Sequence, residues 1–117
     1  RRHLPHCLHQ VMRPAAMAAA LLLSSAPFAG AGDATAGREK AAQCRVCHGL
    51  DGIARMPIAP HIAGGNEQYL VTPLRVVRSG KREHEIMSVV AGALSDEDID
   101  DLSAWYASIQ IEVTMPE

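Results

Sequence analysis

The residues best placed to do chemistry are Cys44-Arg45-Val46-Cys47-His48. A Cys-x-x-Cys-His run reads as a site of covalent attachment for a c-type haem. Two thiols one turn apart match the two vinyl groups on one edge of a porphyrin and can form two thioethers to it. The adjacent histidine then lies beneath the ring, where an imidazole nitrogen can bind iron. Two other chemistries use similar spacing. A dithiol redox pair sits at a strand-to-helix junction, but no Val/Ile-rich strand precedes Cys44, and residues 34–43 are rich in helix formers. A zinc site needs further ligands at knuckle spacing, and no second cysteine pair exists.

A six-coordinate haem iron needs a second axial ligand on the opposite face. Past the cysteine motif the candidates are Met56, Met87, Met115, His61 and His84. Met56 is only eight residues beyond His48, a short path around a ring edge. Met115 lies in the terminal tail, where order is poor. Met87 follows His48 by 39 residues, within Gly80-Lys81-Arg82-Glu83-His84-Glu85-Ile86-Met87, a segment between two helical stretches. That length lets the chain pass around a disc-shaped cofactor and return over it. His84, three residues earlier, stays open as the competing ligand.

The rest of the chain must position this site. Its 117 residues suit one domain, and 48% hydrophobic with 21% charged residues fits a globular protein. The first 31 residues read as a leader: Arg1, Arg2 and Arg13 form a basic region, Ala15 to Leu23 an apolar run, and Ala29-x-Ala31 a small-residue cleavage site. Nine apolar residues are too few for the roughly 20 that span a bilayer. The expectation is therefore a secretory signal peptide cut near Ala31, export to the periplasm, and no membrane span in the mature protein. Cys7, His3, His6 and His9 fall within the segment removed. Residues 32–117 then form the functional domain. Three of the 11 basic residues lie in the leader and none of the 13 acidic ones, so the net charge falls from −2 to −5 on cleavage. That balance argues against nucleic-acid binding. A domain this small, with three aromatics, lacks the material for a self-sufficient core, and a buried porphyrin would supply it.

The pattern is all-α. Gly37 to Gln43 reads as a short helix delivering the cysteines, with Asp33 or Thr35 as its cap. Gly37 is costly in a helix and is useful where another helix crosses closely. Residues 66–79 form a second helical stretch, with Tyr69, Leu70, Leu74 and Val77 as its inward face. Ser95-Asp96-Glu97-Asp98 is a capping signal for a C-terminal helix, along which Ile99, Leu102, Trp105, Tyr106 and Ile109 make an apolar face. Gly49-Leu50-Asp51-Gly52 and Ala63-Gly64-Gly65 read as turns.

From Gly32 to Ile109 the sequence resembles the small single-haem class I cytochromes c of bacteria. The resemblance runs through Gly37-Arg38-x-Lys40-Ala41-Ala42-x-Cys44-x-x-Cys47-His48-Gly49, then Pro60-x-x-Ala63-Gly64 and Tyr69-Leu70-x-x-x-Leu74. It continues with Gly80-x-Arg82, Met87-x-x-Val90-Ala91 and Leu94-Ser95-Asp96-Glu97-Asp98-Ile99-x-Asp101-Leu102-x-x-Trp105-Tyr106. It implies three to five short helices around one covalently bound haem. Its axial ligands would be His48 and Met87, with the Pro60 carbonyl orienting the His48 ring. Two positions depart from the family: Pro73 stands where a Gln is usual, and Val77 where an aromatic is usual. The resemblance also implies an electron carrier rather than an enzyme, passing one electron between a dehydrogenase or respiratory complex and an acceptor. Redox protein partners would meet it at an exposed haem edge. The alternatives are a haem protein with an open sixth site, such as a small peroxidase or gas sensor, or the haem subunit of a larger oxidoreductase. Two charged groups could steer docking or be plain solvated helix surface. They are the acids Asp96, Glu97, Asp98, Asp100 and Asp101, and the bases Arg75, Arg78, Lys81 and Arg82.

Overall fold

The computed structural model describes residues 32–117, so the leader and its Cys7, His3, His6 and His9 lie outside the described residues. Five α-helices follow in order: α1 (Ala34–Lys40), α2 (Arg45–His48), α3 (Glu67–Arg78), α4 (Met87–Gly92) and α5 (Asp96–Ser108). A single 3₁₀ turn, Ala41–Gln43, joins α1 to α2. Among the described residues there is no strand, and no helix is long and apolar enough to cross a membrane.

Local chemistry explains where the helices begin. The Asp33 carboxylate accepts the amides of Thr35 and Ala36, which starts α1 three residues before Gly37, the first residue of the expected helix. Asn66 does the same for Gln68 and Tyr69 at the head of α3. Ser95 and Asp98 cap α5 reciprocally, each side chain accepting the other's backbone N–H, with Asp96, Glu97 and Asp98 at the positive end of the helix dipole. Pro73 lies in the interior of α3, which runs through it unbroken to Arg78.

α1 crosses α5 at Gly37. A Cβ on Gly37 would land on the backbone carbonyl of Asp101 and within 2.9 Å of the Trp105 Cβ. The core lies beneath this crossing and under α3, formed by Ala41, Val71, Leu94, Ile99, Leu102 and Tyr106. Along α3 the buried residues are Val71 and Val77, while Tyr69, expected to point inward, is 75% exposed.

Charge joins the same elements. Lys40 of α1 reaches three carboxylates of α5, at 2.7 Å from Asp101, 2.9 Å from Asp98 and 3.8 Å from Glu97. Asp101 is buried, and its other oxygen accepts the Asp33 N–H at 2.7 Å. On the other side of α5, Arg75 pairs with Asp100 at 2.8 Å, and Arg78 with Asp96 at 2.5 Å. The acidic and basic groups are therefore not two separate poles. Four of their nine members, Arg75 and Arg78 with Asp96 and Asp100, pair with each other across the contact of α3 with α5, which corrects the docking-dipole expectation for Arg75 and Arg78.

These pairs set an acid limit to stability. The Ser95 backbone amide, then Lys40, hold Asp98 down to about 2; Lys40 lowers Asp101, and Arg78 lowers Asp96. A carboxylate whose folded value is depressed contributes its stability above the unfolded value and loses it as protons bind the folded state. The denaturation midpoint should hold steady above about pH 4 and fall between about pH 4 and about pH 2. Asp98→Asn should flatten that fall, which denaturant titrations across the range will measure.

Candidate functional site

The short α2 is a single turn that carries Cys47 and His48, with Cys44 as its N-cap. After it the chain leaves through Gly49 and Gly52, at φ +76° and +71°, a left-handed conformation that other residues rarely adopt. The loop closes on itself where the Gly52 carbonyl accepts the Ile62 N–H at 2.8 Å and the Ala63 N–H at 3.2 Å. α5 ties the loop's start: Trp105 Nε1–H donates to Leu50 O at 3.1 Å, and the buried Tyr106 hydroxyl donates to Gly49 O at 3.0 Å. Burial pushes the Tyr106 phenol well above its ordinary value, so it stays a donor throughout the working range of pH. The loop's far end brings the Pro60 carbonyl to 2.9 Å from His48 Nδ1. A carbonyl can only accept, so Nδ1 carries the proton and the Nε2 lone pair is free for a metal.

Below α3 and α5 lies a cavity of about 370 Å³, within the range of cofactor sites. Cys44, His48, Pro60 and Met87 all border it. Met87 is not in a connecting loop, as expected, but is the first residue of α4. Leu70, Leu74, Val77, Val90, Leu94 and Leu102 supply apolar wall, and Pro73 adds to it. Of the residues expected at the site, Cys47 alone does not border the cavity; its half-buried thiol lies on the same turn of α2. Both cysteines are free thiols, and burial raises Cys44 above the usual thiol range.

The other candidate ligands differ in what their lone pairs already do. His61 and His84 both border the cavity. His61 Nδ1 accepts the Ala54 N–H at 2.8 Å, and His84 Nδ1 accepts the amides of Ile86 and Met87 at 3.3 and 3.2 Å. In each neutral ring the proton then sits on Nε2, leaving no lone pair there for iron. Met56 and Met115 do not border the cavity, and Met115 is 77% exposed.

His84 thus serves as the cap at the head of the helix that carries Met87, and its own N–H donates to Ser88 Oγ at 2.9 Å. His84→Ala should cost about 1 kcal/mol of holoprotein stability, the usual worth of a lost helix cap, whereas His84→Asn, which keeps an acceptor, should recover most of it. Paired denaturant melts will measure the difference.

These residues fit a porphyrin. The wall is apolar, a thiol lies at one edge, and a pre-oriented imidazole and a thioether sulfur both border the space. Among the described residues no group of three His, Cys, Asp or Glu could hold a bare metal ion. Ser103 Oγ, in the wall, is buried without a hydrogen-bond partner. Sequence reasoning treated Tyr106 as packing only, yet its hydroxyl anchors the loop; Arg82 is exposed, as expected of a surface charge, and also borders the cavity. No local signal marks the Tyr106 role, because its partner Gly49 lies 57 residues away along the chain.

No protein-family model matches the chain. It is similar to cytochrome c4 of Pseudomonas aeruginosa, 41% identical over 87 residues, which cover 74% of this chain and 43% of that protein. It is 42% identical over 81 residues to cytochrome c-554(548) of Halomonas halodenitrificans, covering 67% of this chain and 98% of that protein. Among solved structures, reduced recombinant cytochrome c4 from Pseudomonas stutzeri aligns with a TM-score of 0.64 and 36% identity over 68% of this chain and 47% of that one. The chain thus spans less than half the length of its cytochrome c4 relatives and nearly all of the shorter one.

Proposed function

The chain belongs to the class I c-type cytochromes, and on that footing we propose that it holds one covalently attached haem c between His48 and Met87 and carries single electrons between proteins of the periplasm. Members of this family are electron carriers, not catalysts. The observation that supports the ligand assignment is the meeting of Cys44, His48 and Met87 on one apolar cavity, with the His48 ring already oriented by Pro60.

Each group has a separate task. Cys44 and Cys47 would hold the haem covalently through two thioethers, which would prevent its loss. His48 would hold the iron through Nε2, and the hydrogen bond to Pro60 would make that nitrogen more basic. Met87 would hold the iron through its sulfur, a ligand that would favour ferrous iron and raise the potential relative to two imidazoles. The leucines and valines of α3, α4 and α5 exclude water from between these ligands. When bound, the haem supplies a reversible one-electron couple. With His48 and Met87 both holding the iron, no position would be left for oxygen or peroxide, and electrons would pass to partner proteins during small, transient contacts. Residues 1–31 act as the export signal, cleaved near Ala31.

The test is an absorption spectrum of the exported protein, oxidised and reduced, with and without carbon monoxide. A sulfur-to-iron charge-transfer band in the oxidised form, together with indifference to carbon monoxide, is the expected result. A missing band with ready carbon monoxide binding would point instead to an open sixth site. Haem staining that survives a denaturing gel, and is lost in the Cys44→Ser, Cys47→Ser double variant, checks the covalent attachment.

A further inference from the structure

α5 brings one hydroxyl to the cavity that no other group engages. Ser103 follows Leu102 and lies one turn from both Ile99 and Tyr106, on the face of the helix that is buried in the core. It is 1% exposed, and among the described residues its Oγ is the only buried side-chain oxygen or nitrogen without a hydrogen-bond partner. A serine within a helix can turn its hydroxyl back to the carbonyl four residues earlier, but Ile99 O does not hold this one. The other oxygen- and nitrogen-bearing side chains that border the cavity are either fixed or wet. His48, His61, His84 and Tyr106 are each tied to the backbone by a hydrogen bond, and Tyr69 and Arg82 are exposed. Burying a free hydroxyl beside Leu74, Leu94 and Leu102 costs stability, so its place in this wall needs a compensating interaction.

We propose that Ser103 is a rotatable dipole in the cofactor wall that stabilises the oxidised protein and so lowers its reduction potential. The proposal rests on the haem reading above and extends it from the axial ligands to a residue of α5. Iron and porphyrin ring together carry one positive charge in the ferric state and none in the ferrous. A hydroxyl free to turn about its Cβ–Oγ bond orients in the local field, with its oxygen toward positive charge, as a solvent water would. Such a dipole gains most from the state that carries the charge. The sign of the effect is therefore fixed without any knowledge of where the hydroxyl hydrogen starts. The apolar wall has a low dielectric, in which a single dipole is felt. Ser103 thus works against Met87, the ligand that favours ferrous iron.

The experiment is an equilibrium redox titration of the holoprotein and its Ser103→Ala, Ser103→Val and Ser103→Thr variants, with the oxidised spectrum of each. Ser103→Ala should favour the ferrous form about threefold at a fixed applied potential, an upward shift of roughly 28 mV for one electron. Ser103→Val, which fills the place of the hydroxyl with carbon, should shift the same way. Ser103→Thr, which keeps the hydroxyl, should stay near the wild-type potential. The charge-transfer band should remain in all three. Should Ser103→Val fail to accumulate, Ser103→Ala and Ser103→Thr decide the matter. An unchanged potential in Ser103→Ala overturns the proposal, since the hydroxyl is then spent on its own helix. A fall overturns it as well, because water entering the vacated space would act in that direction. So does a Ser103→Thr shift as large as that of Ser103→Ala, or a shift accompanied by loss of the charge-transfer band, which places the effect at Met87. Wild-type protein without covalent haem on a denaturing gel would overturn the function above along with it, and that result is distinguishable from the others.

Discussion

Met87→Ala is expected to abolish the sulfur-to-iron charge-transfer band of the oxidised protein, to open the iron to carbon monoxide, and to lower the midpoint potential. Axial ligands move haem potentials across a range of roughly 0.8 V, and loss of the thioether should cost on the order of a tenth of a volt or more within it. The physical reason is that sulfur stabilises ferrous iron, whereas water or an imidazole in its place favours ferric. The other methionines give the contrast. Met56 lies on the loop after α2, outside the cavity, so Met56→Ala should leave the spectrum unchanged. His84 could replace the lost sulfur only by giving up the amides of Ile86 and Met87. A bis-imidazole spectrum in Met87→Ala that disappears in the His84→Ala, Met87→Ala double variant would show that this exchange takes place. Persistence of the charge-transfer band in Met87→Ala would refute the assignment of the upper ligand.

The second large effect is expected far from the iron. Gly37→Val should destabilise the holoprotein by about 4 kcal/mol, at the upper end of what single substitutions do. The new side chain has no room: a Cβ at Gly37 meets the Asp101 backbone and the Trp105 Cβ, and neither is the mobile end of a flexible side chain. α1 would have to move off α5, breaking the contact that Lys40 makes with Asp98 and Asp101 and shifting the turn that leads to Cys44. Gly37→Ala should fall between the two. At Gly92, near the end of α4, a Cβ would meet no heavy atom within 4 Å, so Gly92→Ala should instead gain about 0.5–1 kcal/mol by stiffening the unfolded chain. Denaturant midpoints of the four proteins test the ordering. A Gly37→Val holoprotein as stable as wild type would mean that the crossing is not close-packed.

Much of the architecture was legible because it is encoded over short distances. Ser95 with Asp98, and the helical spacing of Ile99, Leu102 and Tyr106, announce α5 and its buried face. Gly37 announces a close crossing. The inward face of α3 was only partly legible. Tyr69 has the helical spacing of a core residue, yet the fold leaves it at the cavity rim with 75% of its surface exposed, and buries Val71 against α5 instead. A helix that touches both a cavity and a neighbouring helix has two inward directions, and periodicity alone marks a single stripe.

The Cys-x-x-Cys-His run determines the class of cofactor by itself, because thioether spacing is a property of one helical turn and needs no distant partner. What the tertiary structure decided is which other groups meet that turn. Pro60 reaches His48 only because Gly49 and Gly52 bend the loop and Tyr106 holds its start. The charges show the same division most plainly. In sequence, Arg75, Arg78 and Arg82 are three equivalent bases, but in space two are neutralised by α5 and the third borders the cavity. Charge and hydrogen-bond energies depend on separation in space, which a linear spacing does not record once the chain has turned back on itself.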